Sequence, residues 1–260
     1  MVNNISLIKL HTLLVTVFIV GCGRTIPSTV EQVWHPTEPT LEQHFTYVTI
    51  GSVPPDKMVE VASTLNEHRQ RIMDSHGVET LPQITIKVWG DREAFEQAFL
   101  AQESGNATIV GGYTDAKNWE VRFFNFDMPV GLTAVHEFAH LVSIARNSTI
   151  DSNPRWLWEA LAIYESGRPF VPEISELRCF GTSTGPTLND LNQHSINIYR
   201  VGHYIADYIV REWGTKALIE LIDYNGDTQL ALGVSEEQFE NAWHIDMVKR
   251  GATRESNPDC

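Results

Sequence analysis

Two motifs near the middle of the chain constrain its fold more than any other feature. Residues 136–140 read His-Glu-Phe-Ala-His, and Glu159 follows His140 by 159 − 140 = 19 positions, within residues 156–165, Trp-Leu-Trp-Glu-Ala-Leu-Ala-Ile-Tyr-Glu. Both motifs are rich in apolar neighbours, which predicts that each lies on a buried helix. Residues four apart leave the same face of a helix, so His136 and His140 are expected to point at one place.

The second of these helices has predicted ends and an unusual carboxylate. Asn153 is predicted to cap its N-terminus, Pro154 suits the first helical position, and Gly167 is a stop. A carboxylate inside such a hydrophobic helix is costly to bury unless it is paired or binds a metal ion. The short connection over residues 147–153 lets the second helix fold back beside the first. Glu159 is therefore expected to lie next to the two histidines.

Two imidazoles and one carboxylate form a donor set that suits Zn²⁺. Three protein ligands leave the fourth tetrahedral position open for water, which is the layout of a catalytic rather than a structural zinc site. Glu137 follows the first histidine and is rotated away from the metal, so it can act on a water molecule as a general base. The competing interpretation is a buried helix with two incidental histidines, since the chain has ten histidines in all.

The whole pattern resembles that of the gluzincin zinc metallopeptidases. Among these it is most similar to the small bacterial peptidase MA-like domains. The similarity lies in the HExxH motif and in a later glutamate within Trp-x-x-Glu-Ala-x-Ala, and weaker matches extend it over residues 111–243. It implies a zincin-like fold and zinc-dependent hydrolysis of a peptide or protein substrate. By this resemblance His136, His140 and Glu159 bind the zinc ion, and Glu137 is the general base.

The resemblance also suggests donors for the oxyanion that develops during hydrolysis. Tyr199 matches a tyrosine of the helix that closes the family's catalytic lobe and is the first candidate. His203 lies four residues further on, shares a helix face with Tyr199, and is the second candidate. Ordinary packing is the competing interpretation for both side chains.

The chain departs from the family in two places. The Gly-x-Met-Glu-Asn motif, which holds a substrate's α-amine in aminopeptidases, is missing, and residues 112–115 read Gly-Tyr-Thr-Asp instead. An endopeptidase is therefore expected rather than an aminopeptidase. Thermolysin-type enzymes carry an aspartate four residues after the third ligand, where this chain has Ile163. Glu165, or another carboxylate, is left as the candidate to orient a histidine.

The distribution of periodic segments predicts an α+β fold. Strand composition at 45–50 and 84–89 alternates with helical patterns at 56–76 and 91–102, and two further strand-like runs lie at 108–113 and 119–126. Mainly helical patterns follow from residue 129. The expected architecture is a small mixed sheet followed by a helical lobe, in one domain that spans residues 43–260.

The N-terminus predicts export and a lipid anchor. An apolar run within residues 1–21 is too short to cross a bilayer and resembles the core of a signal peptide. Ile-Val-Gly-Cys, ending at Cys22, resembles a bacterial lipobox, so Cys22 is predicted to carry lipid and tether the protein to the cell envelope. The alternatives are a plain secretory signal or an uncleaved anchor. Residues 22–42 carry three prolines and are predicted to form a flexible tether.

The other two cysteines and the charge complete the expectations. Cys179 and Cys260 either pair in the disulfide-permissive exported compartment or stay free, and their spacing favours neither outcome. The formal net charge of −14 opposes binding to nucleic acid, whose phosphates repel an acidic surface.

Three functions are compatible with these features. The first is a zinc endopeptidase, the second a non-catalytic zinc-binding surface lipoprotein that acts as a binding or assembly module, and the third zinc-dependent hydrolysis of a non-peptide bond. Glu137 favours an enzyme, since a structural zinc site needs no base.

Overall fold

The described part of the chain forms a five-stranded mixed sheet followed by helices, as the sequence predicts for an α+β protein. The computed structural model describes residues 30–38, 44–102, 111–124, 129–151, 153–167, 172–177, 185–193 and 197–252. The strands are β1 (Glu31–Trp34), β2 (Phe45–Ile50), β3 (Ile84–Trp89), β4 (Gly112–Asp115) and β5 (Glu120–Phe124).

The sheet has the strand order β1-β2-β3-β5-β4. The central strands β2, β3 and β5 run parallel, and β1 and β4 pair antiparallel at the two edges. Side chains alternate across the sheet, so Ile84, Ile86 and Val88 of β3 all face the interior and are at most 1% exposed. Each such buried aliphatic side chain contributes about 1.5–3 kcal/mol of transfer free energy.

Strand β1 corrects one expectation about the N-terminal segment. Its residues pair with β2 in the register Glu31 to Ile50 through Trp34 to Tyr47. This strand lies inside the segment 22–42 that the sequence predicts to be a tether, so four residues of that segment belong to the sheet. Pairing with a strand further along the chain, rather than local periodicity, makes these residues a strand.

Two helices connect the parallel strands. Helix α1 (Pro55–His76) runs between β2 and β3, and α2 (Arg92–Gln102) follows β3. The Asp91 side chain accepts a hydrogen bond from Ala94 N–H at 2.8 Å, which confirms it as the cap of α2. Both connections are therefore of the kind that parallel strands require.

The rest of the described chain is helical. The helices are α3 (Val130–Arg146), α4 (Arg155–Glu165), α5 (Leu188–Asn192), α6 (Ile198–Trp213), α7 (Thr215–Asp223), α8 (Thr228–Leu232) and α9 (Glu236–Lys249), with a short 3-10 turn at Ile174–Glu176. None of the described helices combines the length and the hydropathy that crossing a bilayer requires.

Helix α3 packs between the sheet and the later helices. Its Phe138 and Leu141 share one buried core with Val61 and Leu65 of α1, whereas α4, α6, α7 and α9 form a second core. At the start of α3, the Gly131 N–H donates to Glu60 Oε1 at 3.2 Å. A carboxylate there satisfies a free amide and favours the positive end of the helix dipole. Helix α1 thus fixes where α3 begins.

Candidate metal centre

The structure brings His136, His140 and Glu159 together as the sequence predicts. Glu159 Oε2 lies 3.2 Å from His136 Nε2 and 4.0 Å from His140 Nε2. One nitrogen or oxygen atom from each of the three side chains lies within 4.8 Å of the others, so the group could hold a metal ion. The histidines project from α3 one turn apart, and Glu159 projects from α4.

The connection between α3 and α4 is held by hydrogen bonds to the last turn of α7 and to the loop that follows it. The Asn147 side-chain amide donates to the Ile222 carbonyl oxygen at 2.7 Å, and the Thr149 hydroxyl donates to Asn225 Oδ1 at 3.1 Å. These bonds anchor the short turn through which the chain reverses direction. The position of Glu159 relative to the histidines therefore depends on residues about 75 positions further along the chain.

The start of α4 differs from the sequence prediction. The helix begins at Arg155 with Pro154 in the capping position, and no capping bond comes from Asn153, so that prediction was wrong. The free Trp156 N–H donates instead to the Asn192 side chain at 3.0 Å, from the end of α5. A side chain distant in sequence has replaced the local cap, which the local pattern could not reveal.

The charges around the site favour the protonation states that a metal needs at Glu159 and His140, but not at His136. Burial opposes ionisation of Glu159, but the imidazole of His136, 3.2 Å away, and the other positive charges around it lower the pKa of the carboxyl below its usual range. Burial and the charge of His136 lower the pKa of His140, so its imidazole is neutral near pH 7. Burial lowers the pKa of His136, but Glu159 and Glu137 raise it above its usual value overall. His136 must therefore release its proton when a metal binds.

One buried oxygen of the proposed ligands lacks a hydrogen-bond partner in the described part of the chain, and a bound metal ion would supply an interaction for it. Glu159 Oε2 is buried and has no hydrogen-bond partner among the described residues. A buried carboxylate oxygen in that state is costly. Two imidazole nitrogens and one carboxylate oxygen are the ligands of many catalytic zinc sites, so the residues present fit Zn²⁺.

Glu137 is buried beside the ligands and faces the edge strand β4. The Thr114 hydroxyl donates to its Oε2 at 3.4 Å, and Gly112 lies against its other oxygen. A Cβ added to Gly112 would lie 2.7 Å from Glu137 Oε1, so a larger residue there would displace the carboxylate from its present position. Burial raises the pKa of the Glu137 carboxyl, and the charge of Glu159 adds to this rise. The charge of His136 and the hydrogen bond from Thr114 oppose the rise, and the pKa of Glu137 is about 7.

Tyr199 reaches the same site from α6. Its ring centroid lies 6.2 Å from that of His136, and the guanidinium of Arg155 lies 5.9 Å from the centre of its ring. Although 40% of the residue's surface is exposed, burial, the charges of Glu159 and Glu137 and a hydrogen bond with Glu159 raise the pKa of its hydroxyl. The hydroxyl stays protonated at physiological pH and can donate a hydrogen bond at the site.

A close contact between helices puts Tyr199 in this place. Gly202, one turn after Tyr199, packs on α4, where an added Cβ would lie 3.0 Å from Ile163 Cδ1 and 3.1 Å from Ala160 Cα. A larger side chain would push α6 away from α4. Gly202 therefore allows the approach that brings Tyr199 next to His136.

Two other candidates contact residues outside the group of proposed ligands. His203 packs against Tyr164, with ring centroids 5.6 Å apart, and against Tyr204 at 5.7 Å. The buried carboxylate of Glu165 pairs with the Arg71 guanidinium and accepts a hydrogen bond from the Ser75 hydroxyl at 3.0 Å. Glu165 therefore ties α4 to α1, and the suggestion that it orients a zinc-binding histidine was wrong.

One contact of the site involves a buried tryptophan that carries no metal-binding atom. The indole of Trp158 stacks on the imidazole of His140, with ring centroids 4.0 Å apart and an interplanar angle of 6°. Trp158 directly precedes Glu159, and that position was the only sequence signal that could have drawn attention to it. Gly112 and Thr114 likewise gave no local signal of their contacts with Glu137.

Several predictions concern residues outside the described ranges. These are the signal peptide over residues 1–21, the lipid attachment at Cys22, and the two cysteines Cys179 and Cys260.

Comparison with known proteins adds no assignment. No protein-family model matches this sequence, and a search of curated proteins finds no match either.

Proposed function

We propose that this protein is a zinc-dependent peptidase of the gluzincin type that hydrolyses peptide bonds within a peptide or protein substrate. The observation that carries the proposal is the convergence of His136, His140 and Glu159, with the buried carboxylate of Glu137 beside them. Three ligands and an adjacent carboxylate with a raised pKa are the parts that a metal-assisted hydrolysis needs.

In this proposal Glu137 moves the proton. A zinc ion held by the three ligands would polarise the scissile carbonyl and lower the pKa of a water molecule that it binds. The Glu137 carboxylate accepts a proton from water as the oxygen attacks, and then gives that proton to the leaving amine. Because burial raises its pKa to about 7, the same carboxyl group can accept and release a proton near neutral pH.

Tyr199 is proposed to stabilise the oxyanion. Its raised pKa keeps the hydroxyl protonated, and the contact with Arg155 restrains the ring on the side of His136. A neutral hydroxyl that donates to the developing negative charge contributes more in the transition state than in the ground state.

The edge strand supports an endopeptidase over an aminopeptidase. Asp115 is the acidic residue of β4, and because side chains alternate along a strand it faces away from the side on which Thr114 contacts Glu137. Its carboxylate pairs with Arg122 at 2.8 Å and accepts a hydrogen bond from the Asn118 side chain at 2.8 Å. A carboxylate committed in this way is a poor anchor for a substrate's α-amine, so a free N-terminus is not expected to be required.

The proposed location is the cell envelope, with the folded domain tethered to the membrane by lipid on Cys22. The sequence Ile-Val-Gly-Cys after a short apolar run supports this proposal. Cys22→Ser should release a folded protein from the membrane fraction. A variant that stays in that fraction would contradict the lipid anchor.

The proposal is tested with the zinc-loaded domain and a library of peptides blocked at both ends. The expected result is internal cleavage that a chelator abolishes and added zinc restores. Release of single residues from free N-termini alone would refute the endopeptidase assignment. A fully zinc-loaded protein that cleaves no peptide would favour the non-catalytic binding module, and turnover of other zinc-hydrolase substrates would favour a non-peptide hydrolase.

A further inference from the structure

The stack between Trp158 and His140 joins the two helices that carry the proposed zinc ligands. Trp158 belongs to α4 and His140 to α3, and only 8% and 3% of their surfaces are exposed. The ring centroids lie 4.0 Å apart and the planes are within 6° of parallel. The indole therefore covers one full face of the imidazole.

The two zinc-binding histidines differ in what else contacts their rings. The backbone of Ala162 lies beside the imidazole of His136. Nδ1 of His140 is buried, and no hydrogen-bond partner for it lies among the described residues. Metal-binding histidines usually donate their second N–H to a carboxylate, a carbonyl or water, and this bond fixes the orientation of the ring. His140 lacks that restraint in the described structure.

We propose that Trp158 is a positioning residue for His140 and that ring stacking does what a hydrogen bond to Nδ1 usually does. The inference rests on the proposed zinc site. A histidine ring that is free to rotate about its Cβ–Cγ bond would swing Nε2 away from Glu159 Oε2, now 4.0 Å distant. Contact over the whole face of the indole opposes this rotation, and aromatic pairs gain energy in such stacked arrangements beyond the area they bury.

Trp158 also couples the two helices. It immediately precedes Glu159, so the residue that orients one ligand is joined covalently to the next ligand. A shift of α4 relative to α3 would therefore disturb His140 and Glu159 together. This coupling predicts that the effect of losing the indole appears in metal binding and not only in stability.

Trp156 offers a matched control on the same helix. It is 2% exposed and packs on Phe239 of α9 with ring centroids 6.2 Å apart, in the core of the later helices. Replacing either tryptophan by leucine removes buried packing contacts and should lower the stability of the fold. Only the indole of Trp158 touches a proposed zinc ligand.

The test measures zinc affinity by competition with a chromophoric chelator, in the wild type, Trp158→Phe, Trp158→Leu and Trp156→Leu. We expect Trp158→Leu to weaken zinc binding by about 10–100-fold, as loss of an orienting partner usually does. Trp158→Phe keeps an aromatic face and should restore most of the affinity. Trp156→Leu should melt at a lower temperature and still bind zinc as the wild type does.

A spectroscopic measurement covers the case in which Trp158→Leu does not fold. Zinc binding to His140 changes the charge beside the stacked indole, so it should perturb the near-ultraviolet absorption of tryptophan. The zinc-induced difference spectrum should persist in Trp156→Phe and be lost in Trp158→Phe. Persistence of this spectrum in Trp158→Phe would overturn the proposal.

The remaining outcomes separate this inference from the proposed function. Wild-type affinity in folded Trp158→Leu, or an equal loss in Trp156→Leu, would overturn the role of Trp158 and leave the peptidase proposal standing. A wild type that binds no zinc would overturn both proposals together.

Discussion

The substitution Glu137→Gln separates catalysis from metal binding at this site. Glutamine has nearly the same shape as glutamate, so its amide fits between Thr114 and Gly112. The Thr114 hydroxyl, now 3.4 Å from Oε2, can still donate to the amide oxygen. The space around the residue 137 side chain is tight, because a Cβ added to Gly112 would lie 2.7 Å from Glu137 Oε1. The fold and the three proposed ligands should therefore be unchanged.

The expected loss of activity follows from the role of the carboxylate. An amide cannot accept a proton near neutral pH, and general-base catalysis contributes a factor of about 10²–10⁴. That factor corresponds to about 3–5 kcal/mol of activation free energy. Zinc affinity should change much less, because Glu137 is not one of the three grouped ligands and acts on His136 only through its charge.

The assay is kcat/KM on a blocked fluorogenic peptide, together with zinc content and a thermal melt. Glu165→Gln is the matched control, since Glu165 is also buried but pairs with Arg71 and Ser75 away from the ligands. The control should lose stability, by about 1–3 kcal/mol for an imperfectly paired buried group, and keep its turnover. If Glu137→Gln retains wild-type kcat/KM with zinc bound, Glu137 is not the base.

Three further predictions concern the same site. Gly112→Ala should keep zinc but lower kcat by about 10²-fold, because the new Cβ displaces the Glu137 carboxylate; unchanged kcat would contradict that contact. Tyr199→Phe should lower kcat by about 10²-fold with zinc retained, and an effect on zinc content alone would argue against an oxyanion donor. Finally, kcat/KM should fall as pH drops below about 7, because burial raises the pKa of Glu137 to about 7 and only its ionised form accepts a proton. The charge of bound zinc would move this limb to lower pH, and a rate that rises as pH falls through the window would refute the assignment.

The elements that were predicted well are those with strong local periodicity. The pattern over 84–89 alternates as far as Val88, and β3 has the same bounds. The long apolar face of α1 likewise places the helix within one residue of its predicted start. Strand β1 was not predicted, because its four residues are largely exposed and become a strand only by pairing with β2.

In the candidate metal centre, too, some features could be predicted from the sequence and others could not. The grouping of His136, His140 and Glu159 could be predicted, because the spacing within one helix and a short connection to the next determine it. The contacts of Trp158 and Gly112 could not, because each depends on how two separate elements pack. A buried tryptophan on an apolar helix is expected in any core, and only the structure shows that its face lies on a histidine.

Zinc content, measured by mass spectrometry after dialysis, tests the central claim most directly. The domain purified without added metal should hold about one zinc ion per chain, the stoichiometry of a single three-ligand site. His136→Ala, His140→Ala and Glu159→Ala should each lose most of it while remaining folded, whereas Glu137→Gln should keep it. Full zinc retention in all three ligand variants, or a wild type that takes up no zinc, would contradict the account.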